Sequence, residues 1–161
     1  MPTPAPSPVP EGMHTITPHL WFNGDAAAAI ELYQRGFGAE IVGEVNKAPN
    51  GGVMHAMLRF GSSCVMLADA WPGNWEKGPD GMATAGLWLY VRDCDALFER
   101  AAKAGCEVVM PLADMFWGDR MGKLKDPFGH VWAIATHKEV LTPAELHERE
   151  QAWVKSMGTP S

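Results

Sequence analysis

Two stretches of equal length decide the fold: HLWFNGDAAAAIELYQRGFGAEIV at 19–42 and GLWLYVRDCDALFERAAKAGCEVV at 86–109. Laid over one another without a gap, Leu20-Trp21-Phe22 falls on Leu87-Trp88-Leu89. Gly38-Ala39-Glu40-Ile41-Val42 likewise falls on Gly105-Cys106-Glu107-Val108-Val109, at the same offset of 67 residues. A constant offset of this kind marks an internal repeat. Each copy opens on β-branched and aromatic residues that predict a strand, HTITPHLWF at 14–22 and AGLWLYV at 85–91. A helix follows each strand. Asp25 stands as N-cap before AAAAIELYQR, where Ile30, Tyr33 and Phe37 recur at helical spacing and Gly36 and Gly38 close the run. Asp93 stands before the second helix, Leu97, Ala101 and Ala104 share a face, and Gly105 ends it. Glu31 before Arg35 and Glu99 before Lys103 add pairs four residues apart.

Outward from these stretches, AEIVGEV (39–45), VMHAMLRF (53–60) and SCVMLAD (63–69) predict three more strands in the first copy. CEVVMP (106–111), DRMGKLKD (119–126) and HVWAIAT (130–136) predict three in the second, and Phe60-Gly61 recurs 68 residues later as Phe128-Gly129. The unit is β-α-β-β-β, used twice, and the fold class is α+β. A four-stranded sheet with one helix leaves an apolar face uncovered, so the two modules are expected to pair and form a concave groove. The chain then divides into a proline-rich disordered lead (1–13), a first module (14–69), a linker dense in Gly, Pro and Trp (70–84), a second module (85–138) and a C-terminal helix and tail (139–161). In the tail, Thr142, Pro143 and Glu145 spell a capping box for a helix over 142–157. Its Leu146, Trp153 and Met157 form an apolar edge suited to docking on the body or on a partner subunit.

Composition sets the outer bounds. The 161 residues, 47% hydrophobic and 20% charged, suit a globular chain of ordinary size. Thirteen Lys and Arg stand against 19 Asp and Glu, and a net charge of −6 argues against nucleic acid and anionic membrane surfaces as partners. No apolar run reaches the ~18–20 residues of a membrane span, so a cytoplasmic protein is expected. Cys64, Cys94 and Cys106 are odd in number and lack C-x-x-C spacing, which predicts neither a disulfide framework nor a zinc knuckle.

The repeat, together with TPHLWFNGDAAAAIELYQRGFGAE at 17–40, MHAMLRFG at 54–61 and ADMFWGDRMGKLKDPFGHVWAIATH at 113–137, resembles the vicinal oxygen chelate superfamily. That superfamily holds glyoxalase I, extradiol dioxygenases, fosfomycin-resistance enzymes and bleomycin-binding resistance proteins. Within it the chain looks most like the PhnB-like branch, as does its tail, which begins LTPAE. The resemblance implies a metal site fed by the first and last strands of each module. Measured by the repeat, those positions are His19, Val65, Gly86 and Ala133, and a one-residue slip gives Pro18, Met66, Ala85 and Ile134. Only His19 offers a metal donor, so no metal and no cofactor are expected. His14, His55, His130 and His137 lie on separate segments without metal-ligand spacing.

The groove is instead expected to be aromatic. Strand alternation puts His19 and Trp21 on one face and Gly86, Trp88 and Tyr90 on the matching one. The two tryptophans either flank a ligand or fill the core. Trp71, Trp75, Phe116 and Trp117 sit in loops, as lids or interface anchors. Arg59 and Arg120 could hold a carboxylate or phosphate, although Asp119 beside Arg120 in FWGDR reads first as a pair that pins the loop. The ligand-binding residues so predicted are His19, Trp21, His55, Gly86, Trp88, Tyr90, Trp117 and Arg120. They point to a small-molecule binding protein of the glyoxalase/bleomycin-resistance type, taking a small planar or aromatic molecule and forming a homodimer. The alternative is a superfamily enzyme of isomerase, lyase or dioxygenase type that uses His19 as ligand or acid–base, for which the sequence supplies no carboxylate partner. A third reading is a structural module whose groove has become core.

Overall fold

The computed structural model describes residues 3–157 and divides into two compact units between Thr84 and Ala85. The first holds β1 (His19–Phe22), α1 (Ala26–Phe37), β2 (Glu40–Ile41), β3 (Asn46–Lys47), β4 (Val53–Phe60) and β5 (Ser63–Asp69). Its sheet runs β1-β5-β4-β2, with β3 also on β4; β1 and β5 are parallel and the other pairs antiparallel. Two strands are shorter than the sequence pattern predicts. Residues 14–18 are irregular up to His19, with Pro18 lacking an N–H for the ladder. The stretch 39–45 breaks around Gly43, whose φ of +75° turns the chain and leaves β2 and β3 as separate two-residue strands.

Helix α1 lies on the side of the sheet that carries Phe22, Leu58, Phe60 and Leu67, all buried. Tyr33 joins Phe37 and Phe60 edge-on, with ring centroids 5.7 and 5.9 Å away. Burying such side chains contributes roughly 1.5–3 kcal/mol each, which is what holds helix to sheet. The N-terminus of α1 is capped differently from the local pattern. Asp25 makes no side-chain cap bond, and its Oδ1 instead accepts from the N–H of Asn23 at 3.2 Å. The cap comes from Asp69 at the end of β5. Its Oδ1 accepts from the N–H groups of Gly24 and Ala26, both at 3.0 Å, and its Oδ2 from Val53 at 2.8 Å. Residues 70–84 are not loose after this point, because Asn23 donates to the Pro79 carbonyl at 3.1 Å and accepts from the Gly78 N–H at 2.8 Å. Residues 3–13, the described part of the proline-rich lead, form no helix or strand; Met1, Pro2 and 158–161 lie outside the described residues.

The second unit holds β6 (Gly86–Tyr90), α2 (Cys94–Ala104), β7 (Glu107–Asp114), β8 (Asp119–Lys125), β9 (Val131–His137) and α3 (Pro143–Ser156), in sheet order β6-β9-β8-β7. Here Asp93 does cap α2, accepting from the Ala96 N–H at 3.0 Å, and Lys103 pairs with Glu99 at 2.6 Å as the spacing predicts. Thr136 takes the place of Asp69: its hydroxyl accepts from the Cys94 N–H at 3.0 Å and donates to the Val91 carbonyl at 2.8 Å. Phe98 of α2 sits over Gly122, where an added Cβ would stand 2.6 Å from its ring. The DPFGHVW stretch is a locked turn. Buried Asp126 accepts from the N–H groups of Phe128 and His130 at 3.0 Å each and from Trp132 Nε1 at 2.9 Å.

The repeat does not carry over into strand pairing residue for residue. His19 pairs with Met66 and Trp21 with Ala68, whereas Gly86 pairs with Val131 and Trp88 with Ala133. The second pair is thus offset by two residues relative to the first. Asp69 and Thr136 cap equivalent helices, so Ala68 corresponds to Ala135, and the partner of Ala135 is Tyr90. Trp21 therefore has Tyr90, not Trp88, as its structural counterpart, and Trp88 stands where His19 does. A slip of two leaves every side chain on its own face, which is why it is silent in the sequence.

The capping box of α3 forms as spelled, with Thr142 and Glu145 bonding reciprocally. No residue of α3 is buried; Arg149 pairs with Glu139 at 2.5 Å, and the Trp153 ring lies 5.2 Å from Phe116.

Candidate functional site

Each sheet has one face against its helix and one face away from it, and the chemistry-bearing side chains lie on the latter. In the first unit that face carries His19 and Trp21 on β1, Met66 and Ala68 on β5, and His55 and Met57 on β4, as the register and alternation require. Val65 lies on the helix side and is buried, so the repeat-based ruler places it on the wrong face; Met66 is the residue beside His19. The His19 ring stacks on Trp21 at 4.2 Å. Burial and the nearby His55 lower the pKa of His19, and Glu76 partly offsets them. The strand β5 separates β1 from β4, and the two histidines share a face. Among the described residues, no carboxylate hydrogen-bonds to either ring.

In the second unit the corresponding face carries Gly86, Trp88 and Tyr90 on β6, all exposed, with Trp88 43% and Tyr90 61% accessible. A floor of buried Met121, Ala133 and Ala135 lies beside them, and Trp117 from the β7–β8 loop packs onto it with Met110 and Met115. The loop is fixed at its base. The Gly118 carbonyl accepts from Lys138 and Glu139 at 2.9 and 3.0 Å, and Gly118 has φ +96° with an added Cβ only 2.6 Å from the Glu139 oxygen. Trp88 lies 6.2 Å from Tyr90 and 6.4 Å from Trp117, ring to ring.

Tyr90 and Trp117 converge on Asp119, a carboxylate only 3% exposed. Its Oδ2 accepts from the Tyr90 hydroxyl at 2.8 Å and from Trp117 Nε1 at 3.0 Å, and its Oδ1 meets His137 Nδ1 at 2.7 Å. Burial alone would raise the Asp119 pKa. The hydrogen bonds from His137, Tyr90 and Trp117 outweigh it and hold the carboxyl below the ordinary value. Tyr90 is pushed the other way, chiefly by its hydrogen bond to Asp119 and by burial, with a hydrogen bond from Trp88 as partial offset. An ionised carboxylate only accepts, so the proton between Asp119 and His137 resides on Nδ1. The His137 side chain is 55% exposed, and in the neutral imidazole Nε2 is the acceptor.

Of the residues predicted to bind ligand, Trp88, Tyr90 and Trp117 are thus brought together in one unit, and His19, Trp21 and His55 share a face in the other. Gly86 lies on the Trp88 face at the start of β6. Arg120 does not join them. It points to the helix side, where it grips Asp95 of α2 in a bidentate pair at 2.7 and 2.8 Å and reaches Asp114 at 3.4 Å. Asp119 and Arg120 are consecutive strand residues and face opposite sides, so they do not pair with each other, contrary to the loop-pinning expectation. Arg59 likewise is taken by Glu40. Asp119 and His137 are the residues that sequence reasoning passed over as site residues; the only local sign was a polar residue at each end of two strands that turn out to be neighbours, Asp119 opposite His137.

The positions that the superfamily resemblance assigns to a metal do not fit one. Measured by the repeat they are His19, Val65, Gly86 and Ala133; measured by strand pairing they are His19, Met66, Trp88 and Ala133. Either set has His19 as its sole nitrogen or oxygen donor. Among the described residues, no three His, Cys, Asp or Glu side chains converge in a metal-binding group.

The family description Glyoxalase/Bleomycin resistance protein/Dioxygenase superfamily matches residues 13–134. An uncharacterized protein of Mycobacterium bovis is 42% identical over 124 residues, 74% of this chain and 80% of the relative. Among solved structures, protein PA1353 from Pseudomonas aeruginosa aligns with a TM-score of 0.62 at 29% identity, over 78% of this chain and 99% of that one. A PhnB protein from Bacillus cereus shares the fold with a TM-score of 0.61 at 20% identity, over 76% of this chain and 99% of that one.

Proposed function

We infer that this chain, which belongs to the Glyoxalase/Bleomycin resistance protein/Dioxygenase superfamily, binds a small planar or aromatic molecule without a metal, on the aromatic face of its second unit. The observation that carries the reading is the grouping of Trp88, Tyr90 and Trp117 around buried Asp119, with Trp88 and Tyr90 left accessible. A tryptophan whose role is to fill the core would be enclosed as Trp132 is, at 0% exposure. Stacking on such rings contributes ~0.5–1.5 kcal/mol per contact beyond area burial, and the carboxylate network holds Tyr90 and Trp117 in place so that little ordering entropy is lost on binding. His19, Trp21 and His55 offer a second aromatic face in the first unit. The reading includes a metal-free site, residence in the cytoplasm and association of two copies of the chain. Support for the first is the donor-poor set at the superfamily's metal positions. For the second, the three cysteines are unpaired and, among the described residues, no helix is long and apolar enough to cross a membrane. For the third, Leu146, Trp153 and Val154 of α3 are exposed.

The enzyme reading based on His19 is weaker, because that ring is stacked on Trp21 and no carboxylate among the described residues hydrogen-bonds to it, while the Asp119-held imidazole is His137. The test is a screen of planar aromatic compounds by quenching of tryptophan emission, run on the native chain and on Trp88→Ala. Binding that weakens by ~1–3 kcal/mol in the variant, with little change in melting temperature, supports the reading. No quenching by any compound, together with a loss of folding stability of ~3–5 kcal/mol in Trp88→Ala, rejects it in favour of a structural ring. Elemental analysis after dialysis without chelator checks the metal-free part; about one equivalent of zinc, nickel, manganese or iron per chain refutes it.

A further inference from the structure

We propose that the second unit selects planar ligands bearing a neutral, acidic hydroxyl, a phenol or an enol, whose O–H donates to Nε2 of His137. The inference rests on the reading of this face as a small-molecule site and names the chemical class it takes. The polar side-chain groups of Tyr90, Trp117 and Asp119 are engaged with one another or with His137 Nδ1. The Tyr90 hydroxyl and the Trp117 N–H both donate to Asp119. Both Asp119 oxygens are occupied, one by two donors and one by His137 Nδ1. The second imidazole nitrogen of His137 takes no part in this network, and its state is set from behind. The carboxylate can only accept, so Nδ1 carries the proton, and in the neutral imidazole Nε2 presents a lone pair. The side chain is half exposed and bonds to the same carboxylate as Tyr90, which places this acceptor at the margin of the ring surface.

A ligand lying flat over Trp88 and Tyr90 can satisfy such an acceptor only with a donor in or near its own ring plane, as a phenolic or enolic hydroxyl provides. A basic nitrogen acceptor bonds more strongly as the donor becomes more acidic, which favours phenols and enols over alcohols. Anionic ligands are disfavoured by the buried negative charge of Asp119 immediately behind the imidazole.

The experiment compares 2-naphthol with its methyl ether, both uncharged at neutral pH, by ligand-observed NMR titration of the full chain. The native protein should bind the naphthol about tenfold more tightly, the size expected of one good hydrogen bond to a basic acceptor. His137→Phe, at an exposed position, should bind the two compounds equally. In Asp119→Asn the amide oxygen can still accept from Tyr90 and Trp117 while the amide N–H2 faces Nδ1. The proton then moves to Nε2 and the preference for the hydroxyl is lost although binding of the methyl ether persists. A merely structural Asp119 would weaken both compounds alike. Equal binding of the pair by the native chain, or an undiminished preference in His137→Phe, overturns this inference and leaves the aromatic face standing. Absence of binding by both compounds, alongside a failed aromatic screen, overturns the reading of the face itself.

Discussion

Asp69 is the residue whose removal the structure singles out most sharply. One carboxylate serves three backbone N–H groups: Ala26 and Val53 at buried positions and Gly24 at a part-buried one. In Asp69→Ala the Gly24 N–H can turn to water, while those of Ala26 and Val53 are left without a partner. An orphaned buried donor costs ~1–3 kcal/mol, and the lost bonds to a charged acceptor were worth more than neutral ones, so the total is about 3–6 kcal/mol. Against a typical domain stability of ~5–15 kcal/mol, that loss should unfold a visible fraction of the first unit. Asp69→Asn retains one acceptor oxygen but aims its N–H2 at another N–H, and about 2–4 kcal/mol is expected. Two controls sharpen the test. Thr136→Ala removes a neutral hydroxyl that caps α2 and donates to the Val91 carbonyl and should cost ~1–2 kcal/mol, while Asp25→Ala, at the nominal N-cap of α1, should cost less than ~0.5 kcal/mol because its side chain makes no cap bond. Urea unfolding followed by circular dichroism and tryptophan emission gives all four values. A loss below ~1 kcal/mol in Asp69→Ala, or a larger loss in Asp25→Ala than in Asp69→Ala, would refute the assignment of the cap.

Gly118→Ala should be strongly destabilising, by more than ~2 kcal/mol, since it combines a positive φ with a Cβ driven into the Glu139 carbonyl; a melting temperature within a degree or two of the native value rejects this. The depressed pKa of Asp119 makes its contribution complete above the ordinary value of 3.8 and lost as the pH falls through its lower folded value. Denaturant titrations between neutral and strongly acid pH should therefore show an acid slope that flattens in Asp119→Asn, and an unchanged slope in the variant counts against the hydrogen-bond network. Removal of α3, which has no buried residue, should leave the fold of the second unit intact, with a cost of ~1–2 kcal/mol from the Phe116–Trp153 contact and the Glu139–Arg149 pair; loss of all ordered structure would contradict it. Sedimentation equilibrium at micromolar concentration should show two copies associated, and a single species near 17.5 kDa would overturn the dimer.

The sequence by itself determined what is local or periodic. Alternation wrote the strands and their two faces, the 67-residue repeat wrote two α+β modules, and Asp93 and the Thr142–Glu145 box wrote their own helix starts, since each cap lies within three residues of the N–H it serves. It was also enough to place Trp88 and Tyr90 together, because residues two apart on a strand share a face. What only the tertiary structure decided are the partnerships between strands. Asp69 caps a helix 43 residues away, while Asp25, which has the right local spacing, does not. Asp119 turns from Arg120 beside it to Tyr90, Trp117 and His137, because neighbours along a strand point to opposite sides while residues on adjacent strands meet. The two-residue offset between the modules could not be read at all: side chains alternate with a period of two, so a slip of two keeps every residue on its face while changing which residues stand opposite one another.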